Sequence, residues 1–382
     1  MLIKMMISKK RKLGKMPGIS SKLVETGLKS NWAHNLFHSK FVYPFSSARS
    51  SLFYAWKSMN LPKGDEILIP SFICNSVSEP LIEAGAKIKY FKVLPDGNYD
   101  WEELASLDLS NVKVFLWVHF LGLAGDFSEA LKFCKSKRLY LLEDCSHALL
   151  TTYKNKTVGS FGDVACFSLR KCLPVLGGGV LQINNPKFNK PFLNINKNPQ
   201  VGDKARQDGE RLEYFNYLRS IQSWQVNGGD LLYKEVLPNI DFILNDKRFP
   251  YELDQISQNI INNIDFCDLK RKVRRNFKIY FKHLKPISLF NKLDTGDVPI
   301  GFPVIVKNRD AFRSELERHD ILPTCHWPDY LLPDGVAKQF PDTLKLANSI
   351  LTLPCHQDLS TEDITYACEV IKNLLLEEKN YA

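Results

Sequence analysis

The stretch that most constrains this chain runs from residue 139 past residue 180: LYLLEDCSHALL, a short polar piece, then GSFGDVACFSLRKCLPVLGGGVLQI. Two apolar runs of strand length, Leu139 to Leu142 and Val164 to Leu169, each end in reactive polar groups. Glu143, Asp144, Ser146 and His147 follow the first; Ser168 and Lys171 close the second, ahead of Gly177, Gly178 and Gly179. In open α/β sheets, ligands sit at the carboxyl ends of the strands, where the loops begin. A carboxylate, an imidazole, a hydroxyl and an amine are therefore expected around one cleft.

An acid beside a ring nitrogen and a lysine amine near an aldehyde are what pyridoxal phosphate (PLP) requires of a protein. The same spacing also fits an ordinary helix-capping Asp and a solvated surface Lys. Spacing alone leaves both readings open.

The rest of the first half alternates strand and helix. Ser47 and its neighbours can cap a helix from about Ala48 to Met59, with Leu52, Phe53, Ala55 and Trp56 on its apolar face. Free amides at such a helix start suit an anion. Gly64-Asp65 reads as a turn, Glu66 to Pro70 as a strand, Asn75 to Ala84 as a helix and Lys87 to Val93 as a strand. Val112 to Val118 is a buried strand ending in His119, and Asp126 opens a helix to Lys137. This alternation predicts an α/β fold with a mostly parallel central sheet flanked by helices.

From about Tyr251 a helical period links to a smaller C-terminal α/β domain: a strand in VPIGFPVIV, a helix in RDAFRSELERHDI and a C-terminal helix in TEDITYACEVIKNLLLEE. The expected divisions are a tail and lead-in over 1–40, a large domain over 41–250 and a small one over 251–382. Residues 185–247, rich in Asn, Lys and aromatics, read as an insertion.

Composition excludes more than it selects. With 382 residues, 44% hydrophobic and 24% charged, the chain is an ordinary globular one able to bury a large core. No apolar run reaches the roughly 18 residues of a membrane span. Nine scattered cysteines without a C-x-x-C pair fit a reduced, cytoplasmic protein with no metal site. Seven of the basic residues behind the net charge of +9 lie in residues 1–22, which hold no acid, so the body carries +2. The tail reads as solvated, with at most weak peripheral contact with anionic lipid; no nucleic-acid partner is expected.

EDCSHAL, GSFGDVACFSL and Lys171 with its glycine run resemble the DegT/DnrJ/EryC1/StrS family of sugar aminotransferases, whose fold is aspartate aminotransferase-like (fold type I). SARSSL stands where the family has G-T-x-A-L, with Ala48 for Gly and Arg49 for Thr. GDEILIP resembles G-D-E-V-x-x-P, but Cys74 occupies the place of an aromatic that stacks on the cofactor ring, leaving Phe72 as a substitute. VHFLG resembles V-H-x-x-G, while HDILPTCHWPDY and ANSILTLPCHQDLS resemble small-domain segments, with Trp327 for Tyr. The family's Glu before the last two glycines is Gly177. The resemblance spans Tyr43 to Asn184 and, more thinly, Leu269 to Leu375.

The resemblance implies that Lys171 forms the Schiff base with PLP and later moves the proton. It places Asp144 at the pyridine nitrogen, with Glu143 as the alternative acid, and His147 near the ring hydroxyl. Ser168 and the backbone around Arg49 and Ser50 hold the phosphate; His326 and His119 are substrate contacts. It further implies ping-pong transfer from L-glutamate to a nucleotide-linked keto-sugar, in amino-sugar or polysaccharide biosynthesis, by a homodimer with active sites at its interface. Other PLP chemistry (a dehydratase, or transfer to a non-sugar ketone) and a non-catalytic sensor or scaffold are the alternatives; a lysine at position 171 favours transfer over dehydration.

Overall fold

In the computed structural model, which describes residues 13, 14, 17, 32–37, 39–45, 47–175, 177–189, 253 and 255–377, the strands of the first half form one seven-stranded sheet. They are β1 (Phe41–Phe45), β2 (Glu66–Pro70), β3 (Lys87–Phe91), β4 (Val112–Val118), β5 (Tyr140–Cys145), β8 (Val164–Ser168) and β9 (Gly179–Ile183). A small hairpin, β6 (Thr152–Tyr153) and β7 (Lys156–Thr157), lies outside the sheet. The order is β1-β9-β8-β5-β4-β2-β3, parallel from β8 to β3, with β9 and β1 added antiparallel. Pro44, which has no N–H to give, sits on the edge strand.

Strand alternation sends side chains to two helical layers. Ile67, Ile69, Val114, Leu116, Leu142, Val164 and Cys166 pack against helices α1 (Ala48–Met59) and α2 (Asn75–Glu83) through Leu52, Trp56, Val77 and Leu81. Leu68, Phe115, Trp117 and Leu141 face the other way, onto Phe127, Ala130 and Phe133 of α3 (Phe127–Lys137). Each such large side chain contributes roughly 1.5–3 kcal/mol when buried.

The second half packs the amphipathic helix α4 (Phe266–Leu284), which buries Leu269, Val273, Phe277, Tyr280 and Leu284, against a two-stranded sheet of β10 (Gly301–Ile305) and β11 (Ile350–Pro354) and the C-terminal helix α5 (Thr361–Glu377). One hydrophobic cluster joins this half to Leu149, Phe167 and Leu169 of the first.

Several element ends shift by one or two residues from expectation, and two differences bear on the argument. β5 continues three residues past Leu142, so Glu143 and Asp144 lie within the strand. The helical period after residue 251 breaks into Gln255–Asn263 and α4, because the Asp265 carboxylate accepts the amides of Cys267 and Asp268 and starts a new helix. The insertion-like region beyond residue 189, the expected boundary at 250 and most of the basic tail lie outside the described residues.

Candidate active site

Because β5 runs through them, Glu143 and Asp144 point to opposite faces of the sheet. Glu143 is fully buried on the α3 side. Its Oε1 accepts the amides of Phe161 (2.9 Å) and Gly162 (2.5 Å), and its Oε2 accepts that of Gly159 (2.7 Å). His119 Nε2 donates to the same Oε2 at 2.9 Å, while its Nδ1 accepts from the Trp117 indole at 3.3 Å. Every ring nitrogen and carboxylate oxygen of this pair is engaged. The expectation that His119 contacts substrate is therefore corrected: one residue beyond Val118, it shares the face of Trp117 and holds a saturated structural carboxylate. Glu143 is equally removed as the alternative acid.

Asp144 faces the α1 side and is 3% exposed. Its Oδ1 accepts the Ser146 amide at 2.8 Å, the one hydrogen bond to this carboxylate among the described residues. The turn that follows carries His147. Its Nδ1 accepts the backbone N–H of Leu121 at 3.2 Å, and its Nε2 lies 3.0 Å from Nζ of Lys171. Lys171 sits on the single helical turn Leu169–Cys172 directly after β8. Lys171 is partly exposed at the cleft, and desolvation pushes its amine below its ordinary value against an upward pull from the Asp144 charge. Burial, with Lys171 and His326 nearby, holds His147 well below the usual imidazole range, hence neutral.

A cleft of about 520 Å³, open to solvent, spreads from this amine to the start of α1, lined by Ser47, Ala48, Arg49, Ser168, Arg170 and Lys171. Ser47 caps α1: its Oγ accepts the Ser50 amide at 3.2 Å. That bond corrects the expectation for Ser50, which is 1% exposed with its amide already engaged, while Ser47 lines the cleft instead. A Cβ on Gly179 would stand 2.1 Å from the Ser47 carbonyl oxygen, so only glycine lets β9 approach the helix start this closely. On its other side Lys171 borders a second, small crevice with Leu150, Leu269, Val273, Ile300 and His356.

His326 arrives from the second half. Its Nδ1 is 2.9 Å from the Thr352 hydroxyl and its ring 5.4 Å from that of His147. Trp327 stacks on His147, centroids 5.8 Å apart and planes 26° apart, and packs against Phe72 and Phe120. Phe72 is thus committed to this aromatic cluster, and Cys74 lies at the N-cap of α2 without a side-chain capping bond. Trp327, Phe120 and the Leu121 amide are site-building groups that sequence reasoning missed. The dipeptide His326-Trp327 was the available signal for the first.

A lysine amine and a buried carboxylate at neighbouring strand ends, beside an anion-suited helix start, thus sit together on a mostly parallel α/β sheet. The DegT/DnrJ/EryC1/StrS aminotransferase family model matches residues 31–217. The Bacillus subtilis (strain 168) spore coat polysaccharide biosynthesis protein SpsC is 30% identical over 356 residues, covering 88% of this chain and 86% of that one. The UDP-N-acetyl-3-dehydro-alpha-D-glucosamine 3-aminotransferase of Acidithiobacillus ferrooxidans is 23% identical, covering 86% and 83%. A Streptococcus pneumoniae structure in its PLP form shares the fold, with a TM-score of 0.68 at 18% identity over 94% of this chain and 93% of that one. The chain belongs to the DegT/DnrJ/EryC1/StrS aminotransferase family.

Proposed function

We propose that this enzyme uses PLP to move an amino group from an amino acid, L-glutamate by the family resemblance, to a nucleotide-linked keto-sugar in amino-sugar or polysaccharide biosynthesis. The observation that carries the reading is the Lys171 amine at the cleft, 3.0 Å from a buried, neutral His147, at the strand end next to the one bearing Asp144. The residues present fit the cofactor. Asp144 offers a buried carboxylate with one hydrogen bond filled, and the cleft from Lys171 to the α1 N-terminus suits a phosphate.

Bound there, PLP supplies an electron sink that makes a substrate α-proton removable. Lys171 would hold the cofactor covalently, and its Nζ would act as the general base and acid at the substrate carbon. Asp144 stabilises positive charge on the pyridine nitrogen by its own negative charge. Ser47, Ser168 and Arg49 hold the phosphate, Arg49 adding a charge-assisted contact where the family has Thr. His326, held by Thr352, faces the acceptor. A second copy across a two-fold axis completes the site in this reading, and the two halves of the chain act as its large and small domains.

Single-turnover spectra of the PLP-loaded chain with glutamate test the proposal. Loss of the lysine-bound cofactor absorbance with one equivalent of keto acid is expected, followed by amination of a nucleotide keto-sugar seen by mass spectrometry. Unchanged absorbance with no keto acid would overturn it.

A further inference from the structure

We propose that the turn Phe120–Gly122 and the indole of Trp327 clamp His147 as its Nε2–H tautomer, so that His147 can only donate toward Lys171 Nζ and thereby disfavours the ammonium form of that amine. The inference rests on Lys171 being the cofactor's anchor and adds to it positioning residues outside the cofactor contacts.

The argument is one of donors and acceptors. A backbone amide only donates, so His147 Nδ1, 3.2 Å from the Leu121 N–H, must be the unprotonated nitrogen. A neutral ring then carries its proton on Nε2, the atom 3.0 Å from Lys171 Nζ. Across that contact an ammonium would set donor against donor, whereas a neutral amine accepts through its lone pair. An imidazolium is opposed in the same way, because a proton on Nδ1 would face the Leu121 N–H.

The amide is fixed in place by an unusual backbone. Leu121 lies in the left-handed region (φ 53°, ψ 20°), which leucine seldom visits, and Gly122 follows at φ +89°. The turn is pinned from outside. Leu121 O accepts the Ile300 amide at 3.0 Å, and Gly122 O accepts the Val298 amide at 3.3 Å and the Thr151 hydroxyl at 2.6 Å. A Cβ at Gly122 would stand 2.4 Å from Val298 O and 2.8 Å from His147 O, so the turn is wedged between the His147 loop and the 298–300 segment. The stacked Trp327 indole, itself packed on Phe72 and Phe120, keeps the ring in the plane both contacts need.

The other titratable groups around the pair are Asp144, Cys74, Cys172 and Arg170 near Lys171, and His326 near His147. Of these Asp144, Cys74 and Cys172 favour an ammonium, while the Arg170 charge opposes it, as does the Nε2–H of His147.

The cofactor-free full chain decides the matter. With 15N-histidine label, the His147 signals, identified by contacts to the Trp327 indole protons, are expected to show Nε2–H and bare Nδ1 from about pH 5 to 8, the range in which an ordinary histidine loses its charge. An Nδ1–H tautomer or an imidazolium in that range overturns the proposal. The labelling rate of Lys171 by a small amine reagent, read by peptide mass spectrometry, is expected to fall about tenfold near neutral pH in His147→Leu and Trp327→Leu, the worth of one buried hydrogen bond. His147→Gln and Trp327→Phe are expected to restore it, since an amide N–H donates and a phenyl ring stacks. Wild-type labelling profiles in the folded Leu variants would likewise sink the idea. Failure of the anchor reading looks different: a Lys171→Ala chain that still binds PLP covalently, with the tautomer signals intact.

Discussion

Replacing Glu143 by Gln separates the two adjacent acids by what each is for. The carboxylate takes four donors: the amides of Gly159, Phe161 and Gly162, and His119 Nε2. A glutamine keeps one accepting oxygen, and its NH₂ must face either the Phe161/Gly162 pair or the Gly159/His119 pair. His119 cannot yield by changing tautomer, because the Trp117 indole donates to its Nδ1. Two buried donors therefore lose their acceptor whichever way the amide turns. At roughly 1–3 kcal/mol for each such group the loss is about 2–6 kcal/mol, a large share of a typical fold's stability. Urea unfolding of the cofactor-free chain measures it, with PLP titration of the still-folded fraction alongside. The expected result is an earlier first transition with PLP affinity near wild type. A variant with wild-type stability refutes the saturation argument, and a stable variant that no longer binds PLP would return Glu143 to the list of cofactor ligands.

Asp144→Asn keeps an oxygen for the Ser146 amide but removes the charge, so stability is expected to hold while single-turnover transamination slows by at least roughly a hundredfold. Lys171→Met tests the buried amine. The unfolded lysine titrates near 10.5 and the folded one lower, so between the two the unfolded chain binds the extra proton and stability rises with pH. The cofactor-free Met variant is therefore expected to be more stable than wild type at pH 7, the gain vanishing as pH approaches 10.5; equal urea midpoints at neutral pH would contradict this. Gly179→Ala places a Cβ against the Ser47 carbonyl, and a loss of about 1–3 kcal/mol with weaker PLP binding is expected in paired melting and titration experiments.

The fold class, the strands carrying the candidate residues, and the nearness of Lys171 to His147 and Ser168 were legible because apolar runs end in polar groups and alternate with helix caps; Asp144 lies on the adjoining strand. His119 and Ser50 misled for a shared reason. Residue type marks them as chemistry-capable, but their polar atoms are spent on Glu143, Trp117 and Ser47, partners visible only once strands and caps are set. The stacking role of Trp327 and the part played by the Leu121 amide escaped notice because an indole that stacks on a ring 180 positions earlier, and an amide in a left-handed turn, leave no periodic trace.

In the proposed function, which acid serves the cofactor is decided by parity along paired strands. In the parallel register Asp144 lies opposite Cys166, so Ser168, two residues on, points to the same face. That face is the one packed by α1, whose N-terminus closes the cleft. Glu143 lies opposite Ala165 and next to Trp117 on the neighbouring strand, and His119 follows Trp117 by two, so these share the α3 face. A register slip of one residue in β5 would exchange the acids, burying Asp144 among the Gly159–Gly162 amides and aiming Glu143 at the cleft. The amides that saturate Glu143 hold the register: Gly162 could not carry a Cβ, which would stand 2.7 Å from Leu141 O, so the 159–162 turn fits this pairing tightly. The structural acid thus sets the aim of the chemical one, and the pair E-D acts as a unit whose two members never face the same solvent.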